Sequence, residues 1–278
     1  MIKIPADLEI VLREAWEQAR KVPGHLGENE ACFLGMLAAC VPVKGAIVEI
    51  GSFKGRSTVM LAKVASHYDL GPVVAIDPHN SPILLDHDAN SEASSYHAFL
   101  ESIHAAGVSN HVEPHLAYSA DIANSWNRPI RFLWIDGDHS YEGAKKDLDG
   151  FFPHLVPRGV LVFHDALNAF PGPIRVFVED VLHSDRFGPA GFVHSIAWAQ
   201  FRPEDGRVFR EKRSALACRA ARLIPFVENG SALHGMRKRR YKFNRFRVPH
   251  SAINAKNWAE LVDANWEPPI ESLPEHAR

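Results

Sequence analysis

The sequence has few of the features that mark disulfide-stabilised, zinc-binding or membrane-spanning proteins. Its 278 residues include three cysteines, Cys32, Cys40 and Cys218, and no two of them form a Cys-x-x-Cys pair. This usage disfavours a disulfide framework and a structural zinc site, and it fits a reducing cytoplasm. No apolar run approaches the ~20 residues that a spanning helix needs, and the first residues lack the apolar core of a signal peptide. We therefore expect a cytoplasmic globular protein.

Neither sign of charge is in large excess, because the formal net charge is only −2, but the distribution of charge along the chain is uneven. Between Arg207 and Arg247, thirteen lysines and arginines stand against Glu211 and Glu228, a local balance of +11 that leaves −13 for the remainder. Such a basic segment predicts contact with an anionic partner, although an exposed, solvated face is the plainer interpretation. We predict N-terminal helices over 1–41, an α/β domain over 42–203 and a basic extension over 204–278.

A strand, a glycine-containing turn and a helix form the central unit of the sequence. The apolar run Ile47–Ile50 leads into Gly51 and Gly55, and an apolar series at helical spacing follows the turn. Glycines at a turn let a ligand approach the backbone, and the helix presents unpaired N–H groups at its start. The Gly-x-x-x-Gly spacing disfavours a dinucleotide. Glu49, near the end of the strand, suits a cationic group of the ligand.

Further strands alternate with helices, which predicts an α/β, Rossmann-like, doubly wound and mostly parallel sheet. Two helices, Asp7–Lys21 and Glu28–Cys40, are expected to cover one edge of this sheet. The polar stretch between Asn80 and Ser95 is interpreted as a lid. The remaining elements are strands near 73–77, 112–116, 130–136, 159–165 and 192–201, and helices near 96–106, 142–154, 173–183, 214–227 and 254–265.

Carboxylates end four of these strands: Glu49, Asp77, Asp136 and Asp165. Parallel strands would place all four on one rim of the sheet. Asp77 lies 26 positions after Gly51, close to where α/β nucleotide folds place the acid that binds ribose hydroxyls, although it could simply begin a turn. After the third strand, Ser119 and Ala120 could contact an adenine edge or only cap a helix.

Histidines and acids at two of these strand ends form the candidate catalytic group. An alcohol is a weak nucleophile at neutral pH, so its attack needs a base, a Lewis acid or both. The residues that could supply them are Asp136, Asp138, His139, His164 and Asp165. Each has a structural alternative, such as helix capping by Asp138, but together they predict a site. His79 could also face substrate, although a packing role is favoured.

Four stretches of the sequence carry a family resemblance. They are the glycine turn, Ala75-Ile76-Asp77, the block Leu133-Trp134-Ile135-Asp136-Gly137-Asp138-His139-Ser140-Tyr141-Glu142-Gly143, and Leu161-Val162-Phe163-His164-Asp165. Over about residues 28–201 the chain resembles the class I S-adenosylmethionine-dependent methyltransferases, in the branch of macrolide sugar O-methyltransferases and cephalosporin-hydroxylase-like proteins. The resemblance implies a seven-stranded sheet with a reversed last strand. The cofactor-binding residues expected on these grounds are Glu49, Gly51, Ser52, Phe53, Gly55, Ser57, Thr58, Asp77, Ser119, Ala120 and Asp136.

The resemblance also implies a divalent cation beside the cofactor. Its expected ligands are Asp136, His164 and Asp165, and His139 is the expected general base. Sugar-methylating relatives have an acid where this chain has His164. Because imidazole binds Mg²⁺ poorly, this departure favours Mn²⁺ or Fe²⁺ over Mg²⁺.

The sequence thus predicts an O-methyltransferase that uses S-adenosylmethionine, and with it a divalent metal, to methylate a hydroxyl of a small molecule or glycan intermediate. The acceptor could be anionic, and a homo-oligomer stays open. One alternative is a hydroxylase-like enzyme that uses the same metal site without methylating. The other is a nucleic-acid-binding module based on the basic tail, which we consider less favoured.

Overall fold

A computed structural model describes residues 2–80, 95–228 and 230–263 of the chain. Most of the stretch interpreted as a lid lies outside the described residues, as does the proline-containing tail beyond residue 263. None of the described helices is long and apolar enough to cross a membrane.

Seven strands form one sheet at the centre of the fold. They are β1 (Ala46–Ile50), β2 (Val73–Ile76), β3 (Val112–His115), β4 (Ile130–Ile135), β5 (Leu155–Phe163), β6 (Phe187–Val193) and β7 (Ile196–Phe201). Their order is β3-β2-β1-β4-β5-β7-β6, and β7 runs antiparallel to both of its neighbours while β1 to β5 are parallel. The predicted mostly parallel sheet with a reversed last strand is confirmed.

Helices cover both faces of this sheet. They are α1 (Leu8–Ala19), α2 (Glu28–Cys40), α3 (Arg56–His67), α4 (Tyr96–Ala105), α5 (Ser119–Ala123), α6 (Tyr141–Phe151), α7 (Pro171–Val176), α8 (Arg210–Ala220), α9 (Ile224–Val227), α10 (Gly235–Phe246) and α11 (Ala255–Asp263). The single helix predicted near 173–183 is α7 followed by a π-helical segment, Phe177–Leu182. The one or two strands predicted over 192–201 are the hairpin of β6 and β7, which begins earlier, at Phe187.

Apolar side chains form two cores, one on each face of the sheet. The first contains the buried sides of α1, α2 and α3, and the second contains those of α6, α7 and α8. The C-terminal region contributes to both cores. In the first core, the ring centroids of Trp258 of α11 and Trp198 are 6.2 Å apart, and in the second core Tyr241 of α10 is buried. The division at residues 41 and 203 stays a prediction.

Buried arginines tie separate segments of the fold together. The guanidinium of Arg131 donates to the carbonyl oxygens of Ala38 and Val41 at 2.9 and 2.7 Å and so holds the end of α2. That of Arg202 donates to Val262 of α11 at 2.9 Å. Arg213 is 2% exposed and donates to five carbonyl groups, those of Leu182, Ser184, Phe187, Gly188 and Gly206.

Replacing Arg213 should therefore destabilise the fold. Arg213→Met keeps the volume of the stem but removes every donor, and we expect a loss of about 2–4 kcal/mol in the free energy of unfolding because several buried carbonyls lose a partner. Lys212→Met, on the exposed face of the same helix, should change it by less than about 0.5 kcal/mol. Urea titration followed by circular dichroism measures both, and equal effects of the two substitutions would contradict the anchoring role.

Candidate active site

The ends of four neighbouring parallel strands define the candidate site. In the order β2-β1-β4-β5, Asp77, Asp136 and Asp165 follow their strands within two residues, and Glu49 is the penultimate residue of β1. The structure therefore places the four predicted acids along one edge of the sheet. Ligands of open α/β sheets bind at this edge.

The glycine turn after β1 lies directly against the backbone that follows β4. Gly51 has a φ of +87°, and a Cβ atom there would come within 2.2 Å of the carbonyl oxygen of Asp136. The strand ends are joined at the same place, because the Asp136 N–H donates to Ile50 at 2.8 Å. Gly55 adopts a φ of +95° at the start of α3. Gly51 is thus required by chain packing, whether or not a ligand also approaches it.

Glu49 is fully buried beneath the first turn of α3. The hydroxyls of Ser57 and Thr58 donate to its two carboxylate oxygens, the second at 2.5 Å. Burial raises the pKa of Glu49 to about 8, and the nearby charges of Asp136 and Asp77 add to this effect. The two hydroxyls are thus directed at Glu49, and their predicted direct contact with a cofactor stays a prediction.

Asp77 fixes the turns that follow β1 and β2. Its carboxylate accepts hydrogen bonds from the backbone N–H groups of Phe53 and His79 at 2.8 and 2.6 Å. The imidazole of His79 is 4% exposed, lies 2.9 Å from the Ser95 hydroxyl and packs 5.2 Å from the ring of Phe99. Burial lowers the pKa of His79. The packing interpretation of His79 therefore fits the structure better than a substrate contact.

The side chain of Ser119 is directed at α6. Its hydroxyl donates to Asp147 at 2.5 Å, and burial raises the pKa of Asp147 to about 6. A Cβ atom on Gly137 would lie 2.9 Å from the other carboxylate oxygen of Asp147, so this buried acid also lies close to the loop after β4. Adenine binding by Ser119 and Ala120 stays a prediction.

Two histidines flank the carboxylates at the ends of β4 and β5. The Nε2 atom of His139 lies 3.1 Å from Asp165 and 3.6 Å from Asp136. The Nδ1 atom of His164 lies 3.1 Å from Asp136 and 3.6 Å from Asp165. The structure therefore brings all four predicted residues into one cluster, in which positive and negative groups alternate.

The cluster strongly shifts the ionisation of its members. Burial alone would lower the pKa of His139, but the neighbouring carboxylates of Asp136 and Asp165 outweigh it and raise the pKa to about 9. The same two carboxylates raise the pKa of the buried His164 well above its usual range, again against the effect of burial. Burial would raise the pKa of Asp165, yet the charges of His164 and His139 hold it well below its usual range.

The loop after β5 orients His139. The ring of Phe170 lies 4.5 Å from the imidazole at an angle of 32°, and the Gly172 N–H donates to the carbonyl of His139 at 2.9 Å. A Cβ atom on Gly172 would come within 2.1 Å of the carbonyl oxygen of Ser140. Ser140 in turn caps α6, since its hydroxyl accepts from Gly143 at 3.0 Å. Asp138 accepts from the Ser140 N–H at 2.8 Å, which fits its alternative role as part of the turn.

Sequence reasoning missed a second layer around the cluster. Glu30 of α2 accepts from the N–H and the hydroxyl of Ser195 at 2.9 and 2.5 Å and lies 3.7 Å from the Nε2 atom of His164. Burial would raise the pKa of Glu30, but His164 outweighs it and lowers the pKa to about 2. Asn168 donates to Asp165 at 2.5 Å. The helix α2, interpreted only as an edge cover, therefore reaches the site.

Asp136, His139 and Asp165 form a group that could hold a metal ion, because one ligand atom from each lies within 4.8 Å of the other two. The Nε2 atom of His139 is buried and makes no hydrogen bond with the described residues, which fits a ligand position. Two carboxylates with one imidazole suit a divalent cation such as Mn²⁺ or Fe²⁺. This group has His139 where the sequence predicts His164 as the third ligand, and the ligand role of His164 stays a prediction.

The fold and the match to a family define the class of protein. Residues 48–166 match a family model described as a methyltransferase domain, and this range contains the glycine turn, Asp77, His139 and Asp165. The seven-stranded sheet with its reversed strand is the class I methyltransferase fold. The match and the fold agree with the predicted S-adenosylmethionine-dependent methyltransferase.

Several solved structures share this fold. The O-methyltransferase NovP is 12% identical, with 70% of this chain and 98% of NovP covered and a TM-score of 0.55. The cofactor-bound Rv0187 from MTB is 18% identical, covers 72% and 92% of the two chains and has a TM-score of 0.51. A protein from Corynebacterium glutamicum is 17% identical, with 73% and 92% covered and a TM-score of 0.51. These likenesses show the fold, and the sugar-methylating branch stays a prediction.

Gly51 and Gly71 form a matched pair that tests the contact between the turn and β4. Both have positive φ angles, +87° and +84°, but a Cβ atom on Gly71 would meet nothing within 4 Å. Gly71→Ala should cost about 1–2 kcal/mol of unfolding free energy through its backbone conformation alone. Gly51→Ala should cost at least a further ~1–3 kcal/mol because the methyl group overlaps Asp136. Equal losses in urea titrations would refute the close contact.

Proposed function

We propose that this protein is an S-adenosylmethionine-dependent O-methyltransferase that acts on a hydroxyl of a small molecule or glycan intermediate. One observation carries the proposal: the carboxylate of Glu49 is buried close to those of Asp77 and Asp136, and its pKa is raised to about 8. A ligand with positive charge would relieve this arrangement, because opposite charges nearby favour the ionised acid. S-adenosylmethionine carries both a sulfonium and an ammonium group.

The residues around the turn fit such a ligand. The hydroxyl of Ser52 is buried in the turn and makes no hydrogen bond with the described residues, so a donor and acceptor is available there. Gly51, Phe53 and Gly55 would lie along the cofactor, and Asp77 would accept hydrogen bonds from its ribose. Ser119 and Ala120 would lie at its base. When bound, S-adenosylmethionine supplies a methyl group on a positively charged sulfur, and S-adenosylhomocysteine is left.

His139 is the residue we assign as the general base. As the acceptor oxygen takes the methyl group and the carbon–sulfur bond breaks, the hydroxyl proton would pass to Nε2 of His139, the nitrogen that faces Asp136 and Asp165. A base must be neutral to accept this proton, while the two carboxylates favour its protonated form. A divalent cation held by Asp136 and Asp165 would supply positive charge that favours both a neutral imidazole and an ionised hydroxyl.

The third ligand of such a cation decides what His139 can do. With His164 as ligand, His139 stays free to accept a proton; with His139 as ligand, it does not. The hydroxylase-like alternative would use the same residues, but the methyltransferase family match over residues 48–166 supports methyl transfer instead. We propose a small molecule or glycan as partner, with nucleic acid disfavoured.

Cofactor binding is tested by Asp77. Loss of two charge-assisted hydrogen bonds, each worth about 1.5–3 kcal/mol, should weaken S-adenosylhomocysteine binding to Asp77→Ala at least a hundredfold by calorimetry. Asp77→Asn keeps one acceptor oxygen, so its affinity for S-adenosylhomocysteine should lie between those of the wild type and Asp77→Ala. Because Asp77 also accepts from Phe53 and His79, circular dichroism must show a folded variant. Asp69→Asn, on the exposed loop after α3, is the control, and wild-type affinity in a folded Asp77→Ala protein would disprove the assignment.

Catalysis is tested by His139. His139→Ala should lower turnover about 10²–10⁴-fold, the usual contribution of a general base, while cofactor affinity stays unchanged. His183→Ala, on the surface, should behave as wild type. Calorimetry with Mn²⁺ separates the two roles. If His139 acts only as the base, His139→Ala leaves the affinity for Mn²⁺ unchanged. If His139 is a metal ligand, His139→Ala lowers both the affinity for Mn²⁺ and the turnover. Full turnover in excess chelator would exclude the metal, and a fully active His139→Ala enzyme would exclude the base.

A further inference from the structure

A cavity of about 320 Å³ lies next to the cluster of Asp136, His139, His164 and Asp165. Its wall consists of residues 27–30 at the start of α2, Asn168, the turn residues His194 and Ser195 between β6 and β7, and Arg245 of α10. Ligand sites typically span about 300–1,000 Å³, so this cavity could hold a ligand the size of a monosaccharide or a substituted phenol. Four parts of the chain that are distant in sequence build it together.

Two of these wall residues contact the cluster directly. Asn168 donates to the carboxylate of Asp165, and Glu30 lies 3.7 Å from the Nε2 atom of His164. Asp165 and His164 belong to the group assigned to proton transfer and cation binding. A molecule in the cavity would therefore be separated from the cluster only by Glu30 and Asn168.

Two buried nitrogen atoms of the wall residues lack partners. The Nε atom of Arg245 and the Nε2 atom of His194 are both inaccessible to solvent, and neither makes a hydrogen bond with the described residues. His194 is held in the turn, with a φ of +53° and its N–H donating to His250 at 2.8 Å. Buried polar groups are nearly always paired, so two unpaired nitrogens on residues that line one cavity point to a ligand that accepts hydrogen bonds.

The charges around the cavity favour a negative group beside Arg245. Arg245 forms no ion pair with any described residue, and the N–H groups at the start of the 13-residue α2 add partial positive charge. The wall also contains two acids. Glu28 is exposed, and Glu30 accepts hydrogen bonds from Ser195 and lies beside the imidazole of His164. Arginine binds carboxylate and phosphate groups through paired hydrogen bonds.

We propose that this cavity is the acceptor site and that Arg245 and His194 bind an anionic group, a carboxylate or a phosphate, on the methyl acceptor. This inference rests on the proposed function. It makes the helix α10, which lies outside the matched methyltransferase domain, a determinant of acceptor specificity. Of the basic residues on α10, Arg245 lines the cavity, whereas Lys238, Arg239, Arg240 and Lys242 are exposed to solvent.

Paired acceptors test the specificity. Hexoses would be compared with the corresponding hexuronic acids and hexose phosphates, and phenols with hydroxybenzoates, by the formation of S-adenosylhomocysteine. Arg245→Gln should lower kcat/KM about tenfold to a hundredfold for the anionic member of a pair, the range expected for a lost charge-assisted hydrogen bond. The neutral member and cofactor affinity should be unaffected, and Arg239→Gln, with the same change of charge, should behave as wild type. Equal losses for both members would overturn the proposal.

Inorganic phosphate tests the site without turnover. In protein labelled with ¹⁵N-histidine, phosphate should shift the NMR signals of the His194 ring, which are assigned by their loss in His194→Gln. Arg245→Gln should weaken the phosphate affinity measured from this shift about tenfold or more. Phosphate binding without methylation of any acceptor would leave the anion site standing and count against the proposed function. Methyl transfer with no phosphate response at His194 and no acceptor discrimination by Arg245 would overturn the anion site alone.

Discussion

The collection of four carboxylates at one edge of the sheet is the constraint on which the site depends. Two unit charges 4 Å apart repel by about 4 kcal/mol at an effective dielectric constant of 20, so each acid needs compensation. The structure supplies it differently each time: hydroxyls for Glu49, backbone N–H groups for Asp77, and imidazoles for Asp136 and Asp165. The first two solutions use only neutral groups, which favours a positively charged ligand at this edge, such as the sulfonium that we propose.

Backbone strain lies beside these acids. Phe53, His79 and Asp165 have positive φ angles of 46°, 52° and 55°, although none is glycine, and each follows a different strand of the sheet. Such conformations cost about 1–3 kcal/mol each and persist only where surrounding contacts impose them. The contacts are visible here: Asp77 accepts from both Phe53 and His79, and Asn168 holds Asp165. Stability supplied by the two apolar cores thus maintains loop geometry that local preference would not choose.

Local sequence patterns predicted the central sheet and its helices because strands and helices depend mainly on residues that are close in sequence. The apolar runs of β1, β2 and β4 and the glycine turn needed no tertiary information. The early starts of β5 and β6 were missed because Pro157, Gly159, Gly188 and Pro189 interrupt the strand pattern there. Glu30 was missed for another reason: its partners His164 and Ser195 are more than 130 residues away in sequence, and no spacing within α2 announces them.

The basic C-terminal region shows why a charge count overstates a binding surface. Arg213 is consumed by buried carbonyl oxygens, Arg210 pairs with Asp185, and Arg237 donates to the carbonyl of Phe226 at 2.6 Å. These positive charges are partnered within the fold, and the buried guanidinium of Arg213 must be, because an unpaired buried charge is costly. Sequence alone gives them the same weight as the exposed residues of α10. The balance of +11 therefore includes charges that are satisfied within the fold, and contact of the exposed remainder with an anionic partner stays a prediction.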